Sequence, residues 1–340
     1  MIMGHNGEQL PSTMKAVRYH VNGPPEVLRV EDVPVPQPGP NEVVIKVAYA
    51  GVNVVDSHIR GTGMPQLKVP LPATPGKDAS GTVAEVGSEV KHFKIGDRVF
   101  VIMHELRSSG AYAEYFKAFE PEVHYLPDHY TFQEGASIGT ACYTALKAMY
   151  IAGEAKPGQS ILIHGASGQV GLACVQFAVA EGMNVFGTAS TKEGTERVLQ
   201  SGAHFCFDHS KENYVQQVRD NIGPKGFDLI IEMVASTNLQ SDLELIGRPR
   251  KRIVLVGSKP TSIAINCLTL MMKAAIITGV RVSETTPEEW RTMKKLLEKG
   301  VNEGYVRPFV GPEYPLDHAV KVHHELLLMT GSHGKTLVRP

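Results

Sequence analysis

Cysteine is scarce in this chain of 340 residues. Its four cysteines, Cys142, Cys174, Cys206 and Cys267, stand far apart, with no C-x-x-C pair and no histidine at ligand spacing. That spacing argues against a disulfide framework and a zinc module and leaves buried thiols in a reducing compartment. Long apolar runs are missing too: none approaches the roughly 18 residues a membrane span requires. The opening residues are polar, rich in Gly, Asn, Ser and Pro, and contain no apolar core of a signal peptide. These absences predict a cytoplasmic protein with a flexible tail over 1–13. Charge of one sign is also lacking. Lys and Arg number 34 against 35 Asp and Glu, a net charge of −1, so nothing draws the whole molecule toward nucleic acid or lipid. There is no internal repeat and no low-complexity segment.

What is present has the length of two domains sharing a cleft, with 42% hydrophobic residues to build their cores. Met14 to His20 and Val27 to Val33 alternate like strands around the turn Asn22-Gly23-Pro24-Pro25. A proline-rich link leads to the β-branched run Glu42 to Ala50. Glycine-punctuated strands follow within Pro75 to Gly87, at Gly96 to Phe100 and at Ser109 to Tyr115. Such close spacing predicts a β-barrel-like domain to about residue 130. From Thr131 helix and strand patterns alternate, as a doubly wound parallel sheet requires. Asp228 to Met233 and Arg252 to Gly257 read as buried strands, and Pro287 to Gly300 as a charged amphipathic helix. The fold class is therefore α/β. The tail after Tyr305 is expected to fold back on the first domain, giving 14–133 with 306–340 as one domain and 134–305 as the other.

The segment from Lys156 to Gly187 organises the second domain. The apolar run Ile161-Leu162-Ile163 meets the loop Gly165-Ala166-Ser167-Gly168-Gln169-Val170-Gly171, then helix-forming residues and a second apolar run. This is a βαβ unit, and its loop is where a dinucleotide's pyrophosphate sits against a helix N-terminus. Ala166 replaces the usual first glycine of G-x-G-x-x-G. NAD enzymes place an acidic residue about 20 residues further on, at the end of the second strand. Here the strand ends in Thr188-Ala189-Ser190-Thr191-Lys192, hydroxyls and a lysine able to receive a 2′-phosphate, which favours NADPH.

These stretches, with Met14-Lys15-Ala16-Val17, Gly51-Val52-Asn53, Gly110 to Tyr115, Gly202-Ala203-His204 and Gly334-Lys335, cover the chain from Met14 onward. In this order they resemble the zinc-free branch of the medium-chain dehydrogenase/reductase superfamily, most closely the zeta-crystallin type of NADPH:quinone oxidoreductase. The resemblance implies a GroES-like β-rich catalytic domain and a Rossmann NADPH-binding domain. Zinc members carry an early cysteine, a Gly-His-Glu and a four-cysteine lobe. Here the corresponding stretches offer Asn53, Asp56 and Gly76-Lys77-Asp78, and the lobe is absent. A protonated lysine is no zinc ligand, and no metal is expected.

By the same resemblance Asn53 and Thr144 lie beside the nicotinamide, Asn53 as a hydrogen-bond donor to the acceptor. His58 stands where the family has a tyrosine, and an imidazole with pKa near about 6.5 is a candidate proton donor as well as a pocket-wall residue. Ser167, Gly168, Gln169 and Val170 are expected at the pyrophosphate, Ser190, Lys192 and His209 at the adenosine 2′-phosphate. Asn238, Val256, Gly257, Ser258 and Lys259 are expected along the ribose and nicotinamide, Val280 and Arg281 over the nicotinamide, and Lys335 at the phosphates. The expected activity is hydride transfer to quinones or to conjugated carbonyls. The alternative implied by the resemblance is an NADPH-binding protein with little enzymatic role, crystallin-like or binding AU-rich RNA, with Arg248-Pro249-Arg250-Lys251-Arg252 as its basic cluster. A homodimer or homotetramer is implied, paired through the apolar edge Ala274 to Val282.

Overall fold

The computed structural model describes residues 10–61, 69–105, 107–257, 262–328 and 333–340. Two units emerge, Met1–Thr140 with Pro308–Pro340, and Ala141–Arg307.

In the first unit the alternating amino end forms β1 (Thr13–Arg18) and β2 (Arg29–Pro34), an antiparallel pair with Met14 opposite Val33. The β-branched run forms β3 (Glu42–Gly51), whose Val43, Val44, Ile45 and Val47 are buried. A short helix, α1 (Val54–Arg60), follows, then β4 (Asp78–Val86), β5 (Arg98–Ile102), β6 (Tyr115–Phe119), β7 (Val123–Tyr125) and α2 (Phe132–Leu146). The strand expected over 109–115 begins only at Tyr115. Ala111 and Tyr112 spend their N–H groups on the carbonyls of Gly76 and Pro75, an irregular pairing that keeps this stretch off the ladder.

The second unit runs β8 (Ser160–Ile163), α3 (Gln169–Ala180), β9 (Asn184–Ala189), α4 (Lys192–Gln200), β10 (Phe205–Asp208), α5 (Tyr214–Ile222), β11 (Leu229–Glu232), α6 (Ala235–Leu245), β12 (Arg252–Leu255), α7 (Cys267–Lys273), β13 (Ile276–Gly279) and α8 (Pro287–Asn302). Its strands are all parallel in the order β10-β9-β8-β11-β12-β13. This is the doubly wound order in which the direction of winding reverses between the first and fourth strands, here β8 and β11, and opens a ligand crevice at their carboxyl ends. Helix α8 starts with a capping box, Thr286 Oγ1 accepting from Glu289 N–H and Glu289 from Thr286 N–H.

The chain then returns to the first unit as β14 (Val310–Pro315), α9 (Ala319–Leu328) and β15 (Lys335–Arg339). They complete a sheet of order β14-β15-β3-β4-β5-β7, with β6 also paired to β3. Each unit has its own core: Ile45, Val99, Phe116 and Val338 belong to one, Leu162, Phe186, Ile230 and Ile253 to the other. The first boundary falls inside α2, at Thr140, where the sequence reading places it at 133. Thr140 is tied to Asp78 Oδ1 by its N–H at 2.9 Å and its hydroxyl at 2.7 Å, so the start of the helix stays with the sheet of the first unit. The second follows Arg307, whose N–H and C=O are both held by the Gln176 side chain.

Candidate cofactor site and active site

At the carboxyl end of β8 the chain turns through Gly165 at φ 57°, so the left-handed position lies one residue before Ala166 and a side chain at 166 is tolerated. Ala166 N–H donates to Thr188 O at 2.8 Å and Gly168 N–H to Gly165 O at 3.0 Å, which shapes the loop. Gly168 is the N-cap of α3 and carries no side chain to cap it, which suits an anionic acceptor at the helix start. A Cβ on Gly171 would lie 2.5 Å from Gly165 O and 2.7 Å from Ala166 Cα, so only glycine lets α3 approach β8 this closely. Ser167 and Gly168, with Gln169 and Val170 in the first turn of α3, surround this cradle.

Strand β9 ends at Ala189 with no carboxylate at its tip, where Ser190 follows. Ser190 is exposed, and Thr191 caps α4, its Oγ1 accepting from Gly194 N–H at 3.0 Å. Lys192 opens α4 with its side chain in solvent, Nζ 3.9 Å from Glu196. Glu193 belongs to the first turn of α4, past the strand end. His209, just after β10, hydrogen-bonds through Nδ1 with Thr188 Oγ1 at 3.1 Å. Burial and the neighbouring His164 lower its pKa, which favours the neutral ring.

Under the crevice lies a buried cluster. His164 Nε2 meets Asp242 Oδ1 at 2.8 Å and lies 3.7 Å from Glu232 Oε2. Burial acts to lower the pKa of His164, but Asp242 and Glu232 outweigh it and raise it. Burial pushes Glu232 up to about 7 against the pull of His164. Asn238 is held in this cluster, its amide donating to Glu232 Oε1 at 3.2 Å and its Oδ1 accepting from Tyr214 Oη at 3.1 Å. Val256 and Gly257 follow β12 and donate to Glu232 O, while Ser258 and Lys259 lie outside the described residues. Val280 follows β13, its N–H on Leu255 O at 3.0 Å. Arg281 is exposed and reaches Ser283 and Glu284. Lys147, which the sequence reading passes over, fixes this segment: Nζ donates to Arg281 O, Glu284 O and Thr285 Oγ1 at 3.0, 2.8 and 3.0 Å. Thr144 is half-buried on α2.

In the first unit Asn53 caps α1 and is buried. Its Nδ2 donates to Asp78 Oδ2 at 3.0 Å and to Gly51 O at 3.3 Å, which uses both amide hydrogens. The donor role expected of Asn53 is thus already spent on holding its neighbours. Lys335, expected at the phosphates, is 3% exposed and pairs with Asp78 Oδ2 at 3.0 Å and with Asn53 Oδ1. Backbone packing is as tight here, since a Cβ on Gly51 would lie 2.1 Å from Ala136 O. His58 is half-buried on α1 with no hydrogen bond or ion pair found among the described residues. Asp56, two residues earlier, is buried. Burial pushes its carboxyl up to about 7, against the hydrogen bond it accepts from Asn53 N–H at 2.8 Å. Lys77 is buried as well, and burial lowers its pKa. Of the basic cluster, Lys251 is paired with Asp228 at 2.5 Å and Arg252 with Glu154, which leaves less charge for a phosphate backbone.

Comparison with known proteins follows these divisions. Residues 39–128 match the alcohol dehydrogenase GroES-like domain and residues 170–299 the family described as zinc-binding dehydrogenase. The chain is 42% identical to a quinone oxidoreductase of Sus scrofa over 326 residues, 96% of this chain and 97% of the relative. It is 41% identical to the quinone oxidoreductase of Homo sapiens over the same shares of both chains. Among solved structures, Escherichia coli quinone oxidoreductase complexed with NADPH superposes with a TM-score of 0.81 at 27% identity, covering 96% of this chain and 100% of that one. An NAD-dependent alcohol dehydrogenase superposes with a TM-score of 0.86 at 27% identity, again over 96% and 100%. No described helix is long and apolar enough to cross a membrane.

Proposed function

The chain belongs to the quinone oxidoreductases of zeta-crystallin type within the medium-chain dehydrogenase/reductase family, and on that premise we propose that it transfers hydride from NADPH to quinones and other conjugated carbonyls. The observation that carries this reading is its likeness, over 96% of its length, to proteins named quinone oxidoreductase. The chemistry of the second unit supports the choice of coenzyme. An uncapped helix N-terminus behind Gly168 suits a pyrophosphate, and Ser190 and Lys192, free of any carboxylate at the end of β9, suit a 2′-phosphate.

The bound coenzyme would supply the hydride, and the protein orients it and keeps water away. In this reading Ser167, Gly168, Gln169 and Val170 hold the pyrophosphate, and His209 packs beside the 2′-phosphate pocket. Val256, Gly257, Val280, Arg281 and Thr144 line the nicotinamide half. Lys335 acts through Asp78 and Asn53, fixing the N-terminus of α1 and so the place of His58. The reaction is proposed to run in the cleft shared by the units and without zinc. The donor set supports zinc independence: an amide, a carboxylate and an ammonium at Asn53, Asp56 and Lys77 make a poor tetrahedral site. Pairing of copies along β13 is proposed as well. That strand is the sheet edge, and Leu268, Met271 and Met272 on the preceding helix are exposed.

The test is an anaerobic assay of NADPH consumption with a panel of ortho-quinones and alkenals, on protein whose metal content has been measured and again after chelation. Turnover of quinones that survives chelation is expected. Loss of activity with the metal, or no turnover of any acceptor, would overturn the proposal.

A further inference from the structure

The first unit contains a small pocket, partly open to solvent, with apolar walls that include Ile59, Val69 and Met103 and with Asp56, Lys77 and Arg107 as its charged lining. Three acids and three bases gather around it, and most of the charges are already matched. Asp78 is taken by Lys335 at 3.0 Å, and Glu122 by Arg107. Arg107 also lies over the Phe119 ring, 4.6 Å from its centre. Asp56 and Lys77 are left over. Lys77 is only 7% exposed, yet among the described residues its ammonium has neither hydrogen bond nor ion pair, while Asp56 Oδ1 is buried with no partner.

The direction of Lys77 is built into the backbone. Gly76 before it has φ 103°, and a Cβ there would lie 2.6 Å from the Tyr112 ring. Ala111 N–H donates to Gly76 O at 3.0 Å and Met103 N–H to Lys77 O at 2.8 Å. A buried, unmatched ammonium costs stability, so its retention on a pocket wall calls for an occupant that supplies negative charge. Below about pH 7, where Asp56 keeps its proton and Asp78 and Glu122 are paired, the wall offers two proton donors and no unpaired anion, the composition of a site for an oxygen on which charge develops; above that pH Asp56 ionises beside Lys77.

We propose that Lys77, with Asp56 beside it, forms an oxyanion pocket that receives the carbonyl oxygen of the acceptor and protonates it. This rests on the quinone reductase reading. Hydride forms a new C–H bond at the conjugated carbon, the C=C pair shifts, and the C=O π pair moves to oxygen. An O–H bond then forms as a Lys77 N–H bond breaks, giving the enol, and solvent returns the proton to the amine. For a quinone, one hydride and one proton give the hydroquinone. Lys77 therefore supplies the electrostatic help that the spent amide of Asn53 does not.

The test uses the full chain and the neutral variants Lys77→Met and Lys77→Gln. Both are expected to bind NADPH as the parent does and to melt at the same or a higher temperature, because a buried charge is gone. Their kcat/KM for quinones should fall about 100-fold, the scale of losing one oxyanion donor. In the parent kcat/KM should decline at high pH as Lys77 loses its proton. The groups facing it are Asp56, Asp78, Glu122 and Arg107, and Asp56→Asn should move that decline to lower pH by removing an anion. Lys77→Met should abolish it. A second readout needs no turnover: 4-nitrophenol should bind the parent as the phenolate, seen by its absorbance, and bind Lys77→Met at least tenfold more weakly. Unchanged kcat/KM or an unchanged pH profile in Lys77→Met, with quinone turnover intact, overturns the oxyanion pocket and leaves the reductase reading standing. Phenolate binding that depends on Lys77 in a protein that reduces no quinone keeps the pocket and removes the reductase role.

Discussion

Asp56→Asn should make the first unit more stable, and by an amount that grows with pH. The Asp56 carboxyl rises from 3.8 to about 7 because burial outweighs the Asn53 N–H bond and the positive charges of Lys335 and Lys77, with Asp78 adding to the rise. The folded state therefore keeps a proton that the unfolded chain has already released. Between about pH 4 and pH 7 the native state binds more protons, so stability falls as pH rises through that window and the loss is complete above it. At about 1.4 kcal/mol per pKa unit the total is on the order of 4 kcal/mol, of which roughly 2.5 kcal/mol falls between about pH 5 and pH 8. Asparagine cannot ionise, and its side-chain oxygen can still accept the Asn53 N–H that fixes the start of α1. Trp290, the only tryptophan, lies in the second unit, so its fluorescence is the wrong probe. Native-state hydrogen exchange read on peptides from β3 and β4 is the right one. The protection gained by Asp56→Asn over the parent should widen by roughly 2 to 3 kcal/mol from about pH 5 to pH 8. A gap that stays level across this range would refute the reasoning.

Gly171→Ala places a Cβ 2.5 Å from Gly165 O, and the backbone shift it forces should cost about 1 to 3 kcal/mol and weaken NADPH at least tenfold in a fluorescence titration. An unchanged Kd would show that the loop does not hold the phosphates. Ser190→Asp puts a carboxylate at the end of β9, and the ratio of Kd for NADH to Kd for NADPH should fall by roughly 10- to 100-fold; a constant ratio would move the 2′-phosphate elsewhere. Met271→Lys charges the exposed face of α7, and sedimentation velocity should show the proposed homo-oligomer in the parent giving way to monomer in the variant; an oligomer undisturbed by the substitution would exclude this edge as the pairing surface.

The second unit was easy to read because its central strands are buried on both faces and leave continuous apolar runs, as in Ile161-Leu162-Ile163 and Leu229-Ile230-Ile231. The glycine loop is local as well. The buried polar groups of the first unit are not. Asn53 and Asp78 are 25 positions apart and Asn53 and Lys335 are 282 apart, so no pattern along the chain announces that one amide and one lysine share a carboxylate. Lys77 was read only as a residue unable to bind zinc. Its aim into a pocket depends on backbone bonds from Met103 and Ala111, the second within a stretch whose sequence suggests an ordinary strand. The stretch before β6 misled for the same reason, because alternating side chains do not reveal that its amides are engaged by a neighbouring turn.

The first unit is interrupted in sequence, which sets an order of events during synthesis. Residues 141–307 must leave the ribosome before β14 and β15 can. Until they do, β3 waits with Ala50 and Gly51 lacking their β15 partners, and Asp78 waits without the cation from Lys335. The contiguous parallel sheet has every strand it needs by Gly279 and is free to close first. The nascent polypeptide thus matures from its middle outward, and its earliest-made portion is the last to become whole.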